Sequence, residues 1–262
     1  MQMESGRKKV VLAIAGHDPS GAAGIQADIE TIAAADCQCI SLITALTIQN
    51  TADFLGLIPQ QAQQFRQQCL TLLSDIDIDA CKIGLIGDLP IAETITEILD
   101  QLSGVPLVYD PVINAGVGKP LATDELTAYI SRELLPRADV LTPNCREARQ
   151  LTGHDDIYEA GKQLVACGCP HVLVTGADED TARVCNILFH SQGDPVQYDW
   201  ERLAGMYHGS GCTLSSAIAA NLANGMEPVT AIEAAQEFTW KSLKNGHRYG
   251  RNQIHPNRFY DD

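Results

Sequence analysis

The chain is predicted to be an α/β protein built on a mostly parallel sheet with helices on both faces. Three observations predict this. Short, continuous apolar runs recur along the 262 residues, the pattern of buried parallel strands. Between them lie stretches with apolar residues three and four apart, as on amphipathic helices. Glycines and isolated polar residues gather just after the runs, where the carboxyl ends of parallel strands bind ligands. Regular alternation of the two periods implies strand–helix–strand crossovers.

Residues 9–15 (KVVLAIA) form an unbroken apolar run ending at Gly16, which predicts a buried strand. After the loop His17-Asp18-Pro19-Ser20-Gly21, residues 23–35 read as a helix and 40–46 as a second strand. Residues 59–76 are predicted helical, with Ile58, Ala62, Phe65, Cys69, Leu72 and Ile76 on one face and glutamines on the other. The alternation continues with strand 81–86, helix 90–102, strand 106–110, helix 123–135 and strand 139–142. A short helix 145–152, a helix 157–167 and a strand 171–175 follow. Residues 184–190 and 195–200 are suited to pair antiparallel at an edge. Helices 213–224, stopped by Gly225 and Pro228, and 229–245, stopped by Gly246, close the pattern. No linker, repeat or low-complexity tract interrupts it, so residues 1–262 are expected to form a single domain.

Composition narrows the function. Acidic side chains number 33 against 18 basic ones, a formal charge of −15 that repels nucleic acid and anionic membrane. Any phosphate site must then be local, built from backbone donors and a divalent metal. No apolar run is long enough to span a bilayer, and the polar N-terminus lacks a signal-peptide core, so a soluble cytoplasmic protein is expected. Nine cysteines without any C-x-x-C pair read as free thiols rather than zinc ligands.

The chemistry is placed at His208-Gly209-Ser210-Gly211-Cys212-Thr213, which opens directly onto an apolar-periodic run. Small residues at a helix N-terminus let N–H groups and the helix dipole hold anionic oxygens without a lysine or arginine. The same pattern also serves as a plain helix cap. Gly16, Gly21 and Gly24 follow the first strand without forming a dinucleotide or Walker fingerprint, and are read either as a tight turn or as a ligand loop. Asp28, one turn into the next helix, has the same two readings. Gln49 in Thr47-Ile48-Gln49-Asn50-Thr51 belongs to a turn or presents donor and acceptor to a heteroaromatic ring. Asp110-Pro111 ends a buried strand and suits metal or substrate positioning, or a turn. Asn144 and Glu147 spell a capping box; the alternative is an amide and a carboxylate holding hydrated Mg²⁺ against phosphate.

In order, AIAGHDPSGAAGIQADIET (13–31), ITALTIQNT (43–51), KIGLIGD (82–88), YDPV (109–112), LLPRADVLTPNCREARQLTG (134–153) and HGSGCTLSSAIAANLANG (208–225) resemble the ribokinase-like small-molecule kinases. More closely, they are similar to the hydroxymethylpyrimidine/phosphomethylpyrimidine kinase family. QIHPNRF (253–259) is similar to the family's tail. The resemblance implies a ribokinase-like three-layer sandwich, a mostly parallel central sheet with helices on both faces. It implies ATP-dependent phosphorylation of 4-amino-5-hydroxymethyl-2-methylpyrimidine and then of its monophosphate, in thiamine biosynthesis, with ATP and Mg²⁺ and in a homodimer. Gly16, Asp28, Gln49, Leu85 and the backbone at Val112 fall on pyrimidine-pocket positions. Asp110, Asn144, Glu147 and Thr175 fall on nucleotide positions, Glu147 also on that of the metal. Gly209, Ser210 and Gly211 match the anion hole. Cys212 stands where most ribokinase-like enzymes carry a catalytic Asp. A thiol at a helix N-terminus is expected to have a depressed pKa, so its thiolate would accept the substrate's hydroxyl proton.

The chain departs from the family at several positions. Lysines usual in segments aligned with Gly116 and Thr175 are missing, Ala22 replaces a glycine, and His17 replaces a small hydroxyl residue. The phosphate-binding burden is expected to shift to backbone and metal; Lys82 and Lys119 are either solvated or structural. Two alternatives stay open: a pyridoxal kinase of the same superfamily, and a pyrimidine-binding sensor without kinase activity.

Overall fold

The computed structural model describes residues 7–114 and 120–260. One nine-stranded sheet runs through them: β1 (Val10–His17), β2 (Gln38–Gln49), β3 (Phe54–Pro59), β4 (Ala80–Ile83), β5 (Leu107–Tyr109), β6 (Val140–Leu141), β7 (His171–Val174), β8 (Arg183–His190) and β9 (Val196–Glu201). Their order is β3-β2-β1-β4-β5-β6-β7-β8-β9. The six strands from β2 to β7 pair parallel, and β3, β8 and β9 join antiparallel at the two ends.

Alternation along β1 assigns the helices to the two faces. Val11, Ala13 and Ala15 pack with α1 (Gly24–Ala34), α7 (Ser210–Ala223) and α8 (Pro228–Lys244). Leu12 and Ile14 face the other way, against α2 (Ala62–Leu73), α3 (Leu89–Leu99), α4 (Asp124–Tyr129), α5 (Cys145–Thr152) and α6 (Ile157–Ala166). Both faces of the central strands are thus apolar, which is why they read as continuous runs. This is the expected three-layer sandwich.

Two differences from the sequence reading bear on the site. Residues 47–49 continue β2, and residues 54–59 form an edge strand paired with it, Leu46 opposite Ile58. Ile58 therefore belongs to β3, half exposed, and not to the face of α2, which begins at Ala62 and buries Phe65 and Cys69. The helix expected over 123–135 is α-helical only to Tyr129; it widens to a π-turn over Ile130–Leu134 and tightens to a 3₁₀ turn over Leu135–Arg137.

Candidate active site

The carboxyl ends of β1, β4 and β5 converge on the head of α7. Gly209 caps that helix with φ +84°, a conformation glycine adopts without strain. No larger residue fits: a Cβ there would lie 1.9 Å from the Ala22 carbonyl oxygen. The first bond of the helix runs from Thr213 N–H to Gly209 O at 2.9 Å. The N–H groups of Ser210, Gly211 and Cys212 therefore have no helical acceptor, and they carry the positive end of the dipole. Gly211 is exposed, and a Cβ on it would come within 3.5 Å of Asp110 Oδ2. Asp110 thus lies directly beside the glycine loop.

Cys212 is half buried in the first turn of α7. The expected low thiol pKa is corrected here. Burial pushes the thiol up to about 12; Lys82 and the Gly24 N–H pull it down, while Asp110 and Asp28 push it further up. Desolvation and two nearby carboxylates outweigh the helix terminus, so the free protein carries a neutral thiol.

Beneath Cys212 lies a sealed ion pair. Lys82 Nζ donates to Asp28 Oδ1 at 2.7 Å, with neither side chain exposed. Ser216, one turn below Cys212 on α7, donates to the same oxygen at 2.7 Å. A Cβ at Gly84 would meet Lys82 Nζ at 2.8 Å, so the glycine leaves room for the ammonium. Asp28 is enclosed, and through Lys82 and Ser216 it ties α1, β4 and α7 together beneath the site. Opposite charges raise the Lys82 pKa against the pull of burial.

Of the remaining expected pocket positions, Gly16 and Leu85 are in direct contact, while Val112 and Gln49 make bonds of their own. Leu85 packs on Gly16, where a Cβ would meet Leu85 Cδ2 at 2.7 Å, and Thr44 Oγ1 donates to Leu85 O at 2.6 Å. Val112 N–H donates to Asp110 O at 2.8 Å. Gln49 ends β2, its amide donating to Thr47 Oγ1 at 2.9 Å.

On the other side of Asp110, Asn144 caps α5 and Glu147 returns the bond: Glu147 N–H donates to Asn144 Oδ1 at 2.8 Å and Asn144 N–H to Glu147 Oε2 at 3.0 Å. The capping-box reading holds, yet Glu147 is also only 4% exposed and close to Asp110. Burial and then Asp110 raise its carboxyl to about 8, and burial raises that of Asp110 to about 6. Two enclosed carboxylates that hinder each other's ionisation suit a divalent cation, and the backbone N–H groups already bound to Glu147 favour one that keeps its water shell. Thr175 lies beside Asn144, its carbonyl accepting from Cys145 N–H at 3.0 Å. Gly116 and Lys119 lie outside the described residues.

Three residues at the site lie in stretches that the sequence singles out, but have no individual role assigned there. Asp18 Oδ1 accepts from Ser20 N–H at 2.9 Å, and Oδ2 from Ala23 N–H at 3.0 Å and Ser20 Oγ at 2.8 Å. His208 Nε2 lies 3.2 Å from the same Oδ2, joining the first loop to the glycine loop. Burial pushes the Asp18 carboxyl up, but His208 and the Ser20 bonds outweigh it and bring it down to about 2. The signal was present: a short Asp in D-P-S-G, and a His touching the glycines. The third is Arg258 in the QIHPNRF tail, whose neighbours in sequence do not show what it contacts.

Residues 18–257 match the family model described as phosphomethylpyrimidine kinase. The chain belongs to that family. Among curated relatives of this phosphomethylpyrimidine kinase family member, a hydroxymethylpyrimidine/phosphomethylpyrimidine kinase of Rhizobium meliloti is 36% identical over 94% of this chain and 96% of its own length. The Haemophilus influenzae protein of the same name is 35% identical over 90% of this chain and 91% of its own. The chain spans only 44% of a rice protein described as a probable thiamine biosynthetic bifunctional enzyme. Among solved structures, Bacillus subtilis pyridoxal kinase in an ADP complex superposes with TM-score 0.88 at 28% identity, over 96% of this chain and 98% of that one. A phosphomethylpyrimidine kinase of Clostridium difficile gives TM-score 0.77 at 32% identity, over 88% and 98%.

Proposed function

We propose that this kinase transfers the γ-phosphoryl group of ATP to the hydroxymethyl group of 4-amino-5-hydroxymethyl-2-methylpyrimidine, and then to the resulting monophosphate. The observation that carries this reading is the set of N–H groups at Ser210, Gly211 and Cys212, which have no acceptor among the described residues and lie beside Asp110. Phosphoryl transfer asks for in-line positioning and charge neutralisation more than covalent help. The glycine loop supplies donors for the migrating group, and Gly16, Leu85, Gln49 and Val112 hold the ring. Cys212, as a neutral thiol, orients the substrate hydroxyl, whose proton leaves with the transferred phosphate or to solvent. Asp110 and Glu147 would hold hydrated Mg²⁺, which when bound screens the β- and γ-oxygens of the nucleotide. Asn144 and Thr175 frame the nucleotide side.

Two further features belong to the same proposal. Nine unpaired thiols support a reducing compartment, the cytoplasm. Exposed Leu46, Ile48 and Ile58 on the β2–β3 edge support a homodimer, with residues 1–262 acting as one kinase domain.

Purified protein with Mg-ATP and the aminopyrimidine alcohol tests the reading: mono- and diphosphate products resolved by mass are expected, and their absence rejects it. A pyridoxal kinase is the second reading, favoured by solved pyridoxal kinases that superpose at TM-scores of 0.87 to 0.89. Competition between the two alcohols decides by the ratio of kcat/KM. A Cys212→Ala variant with near-parental turnover would exclude the orienting role of the thiol.

A further inference from the structure

Besides Asp18 and His208, a residue from the far end of the chain ties the glycine loop to the first loop. Residues 253–258 return to the site: Ile254 N–H donates to Met206 O at 2.8 Å, and His208 N–H donates to Ile254 O at 3.0 Å. This return delivers Arg258 behind the head of α7, with its side chain 1% exposed. The guanidinium has partners on three segments. Nε donates to Thr213 Oγ1 at 3.0 Å, Nη2 to the Ala22 carbonyl, and Nη1 to Glu30 Oε2 at 2.8 Å.

Two of those partners hold Gly209. The Ala22 carbonyl is the atom on which Gly209 packs, and Thr213 Oγ1 donates onward to Gly209 O at 2.8 Å. One planar fork therefore fixes the spacing between the first loop and the amides of the anion hole. A lysine has a single donor centre and cannot span the same three directions.

We propose that Arg258 is a positioning residue for phosphoryl transfer. It sets the aim of the Ser210–Cys212 N–H groups, and its effect falls on the transition state rather than on ground-state binding. The inference rests on the kinase reading above. An error of about 1 Å in such donors costs on the order of a hundredfold in rate.

Because Arg258→Met would leave the Glu30 carboxylate without its charged partner, the test uses Arg258→Met with Glu30→Gln, compared with Glu30→Gln alone. Glu30→Gln keeps the bonds to Ala22 and Thr213 and should turn over near the parental rate. In the double variant, kcat should fall roughly 10- to 100-fold while KM for the alcohol changes less than about threefold. Millimolar guanidinium should restore part of kcat, and ammonium should not. Hydrogen exchange should accelerate at residues 18–23 and 209–213 together. Parental kcat in the double variant, an equal loss in Glu30→Gln, or unchanged protection of both loops would overturn the inference. If the parent protein forms no product, the kinase reading fails, and the exchange measurement alone decides whether Arg258 couples the loops.

Discussion

Lys82 and Asp28 meet at 2.7 Å with both side chains sealed from solvent, one helical turn beneath the thiol of Cys212. A buried pair adds little net stability, but breaking it leaves a charge without a partner. Lys82→Met should destabilise the fold by roughly 3–5 kcal/mol, and adding Asp28→Asn should recover part of that loss. Urea unfolding of the parent, the single and the double variant checks this; additive losses would show that the two groups act independently.

Asp18 and His208 join the first loop to the glycine loop. Asp18→Asn should cost about 1–3 kcal/mol at neutral pH, the range for hydrogen bonds to a charged group. The sign with pH follows from the lowered carboxyl. Its contribution is complete above the ordinary carboxylate range and is lost as pH falls through about 2, so the gap between parent and variant should close in acid. Thermal melts from pH 7 to pH 2 measure it.

Gly209 and Gly16 should respond differently to a methyl group. Gly209→Ala forces a Cβ to 1.9 Å from a carbonyl oxygen and into left-handed backbone, so loss of both stability and turnover is expected. Gly16→Ala meets only the end of a movable Leu85 side chain, at 2.7 Å. It should fold, push Leu85 into the ring pocket and raise KM for the alcohol. Circular dichroism paired with steady-state kinetics separates the two outcomes.

Glu147 titrates in the opposite sense to Asp18. Its carboxyl, raised to about 8, favours the folded state most when protonated, and that advantage is lost as pH rises through 8. Glu147→Gln should therefore melt progressively higher relative to the parent between pH 6 and pH 9 in the absence of Mg²⁺. Its kcat/KM for Mg-ATP should nevertheless fall about 10- to 100-fold. A melting difference that does not change with pH would contradict this assignment.

Local pattern made the layer order legible because the central strands are buried on both faces and the helices keep their 3.6-residue stripes. The bounds of α5 and the capping box at Asn144 and Glu147 are set by adjacent residues, so they too could be read directly. Edge strand β3 was hidden because FLGLIP is short, half exposed and followed by a helix whose stripe extends back to Ile58. Site residues supplied by contacts distant in sequence were not legible. Asp28 looks like an ordinary helical carboxylate until folding places Lys82 beside it, and Arg258 reaches Ala22 across 236 positions. The pKa of Cys212 failed for the same reason: its helix terminus is local, whereas the burial and carboxylates that dominate it are not.

The central claim is that exposed amides at the head of α7 stabilise the migrating phosphoryl group, and Gly211→Ala tests it most directly. The substitution suits a helix and should leave stability equal or raise it by up to about 1 kcal/mol. It also places a methyl group 3.5 Å from Asp110 Oδ2. The account predicts a kcat reduced about a hundredfold or more in a protein that melts no lower than the parent. Parental kcat in that variant would contradict it.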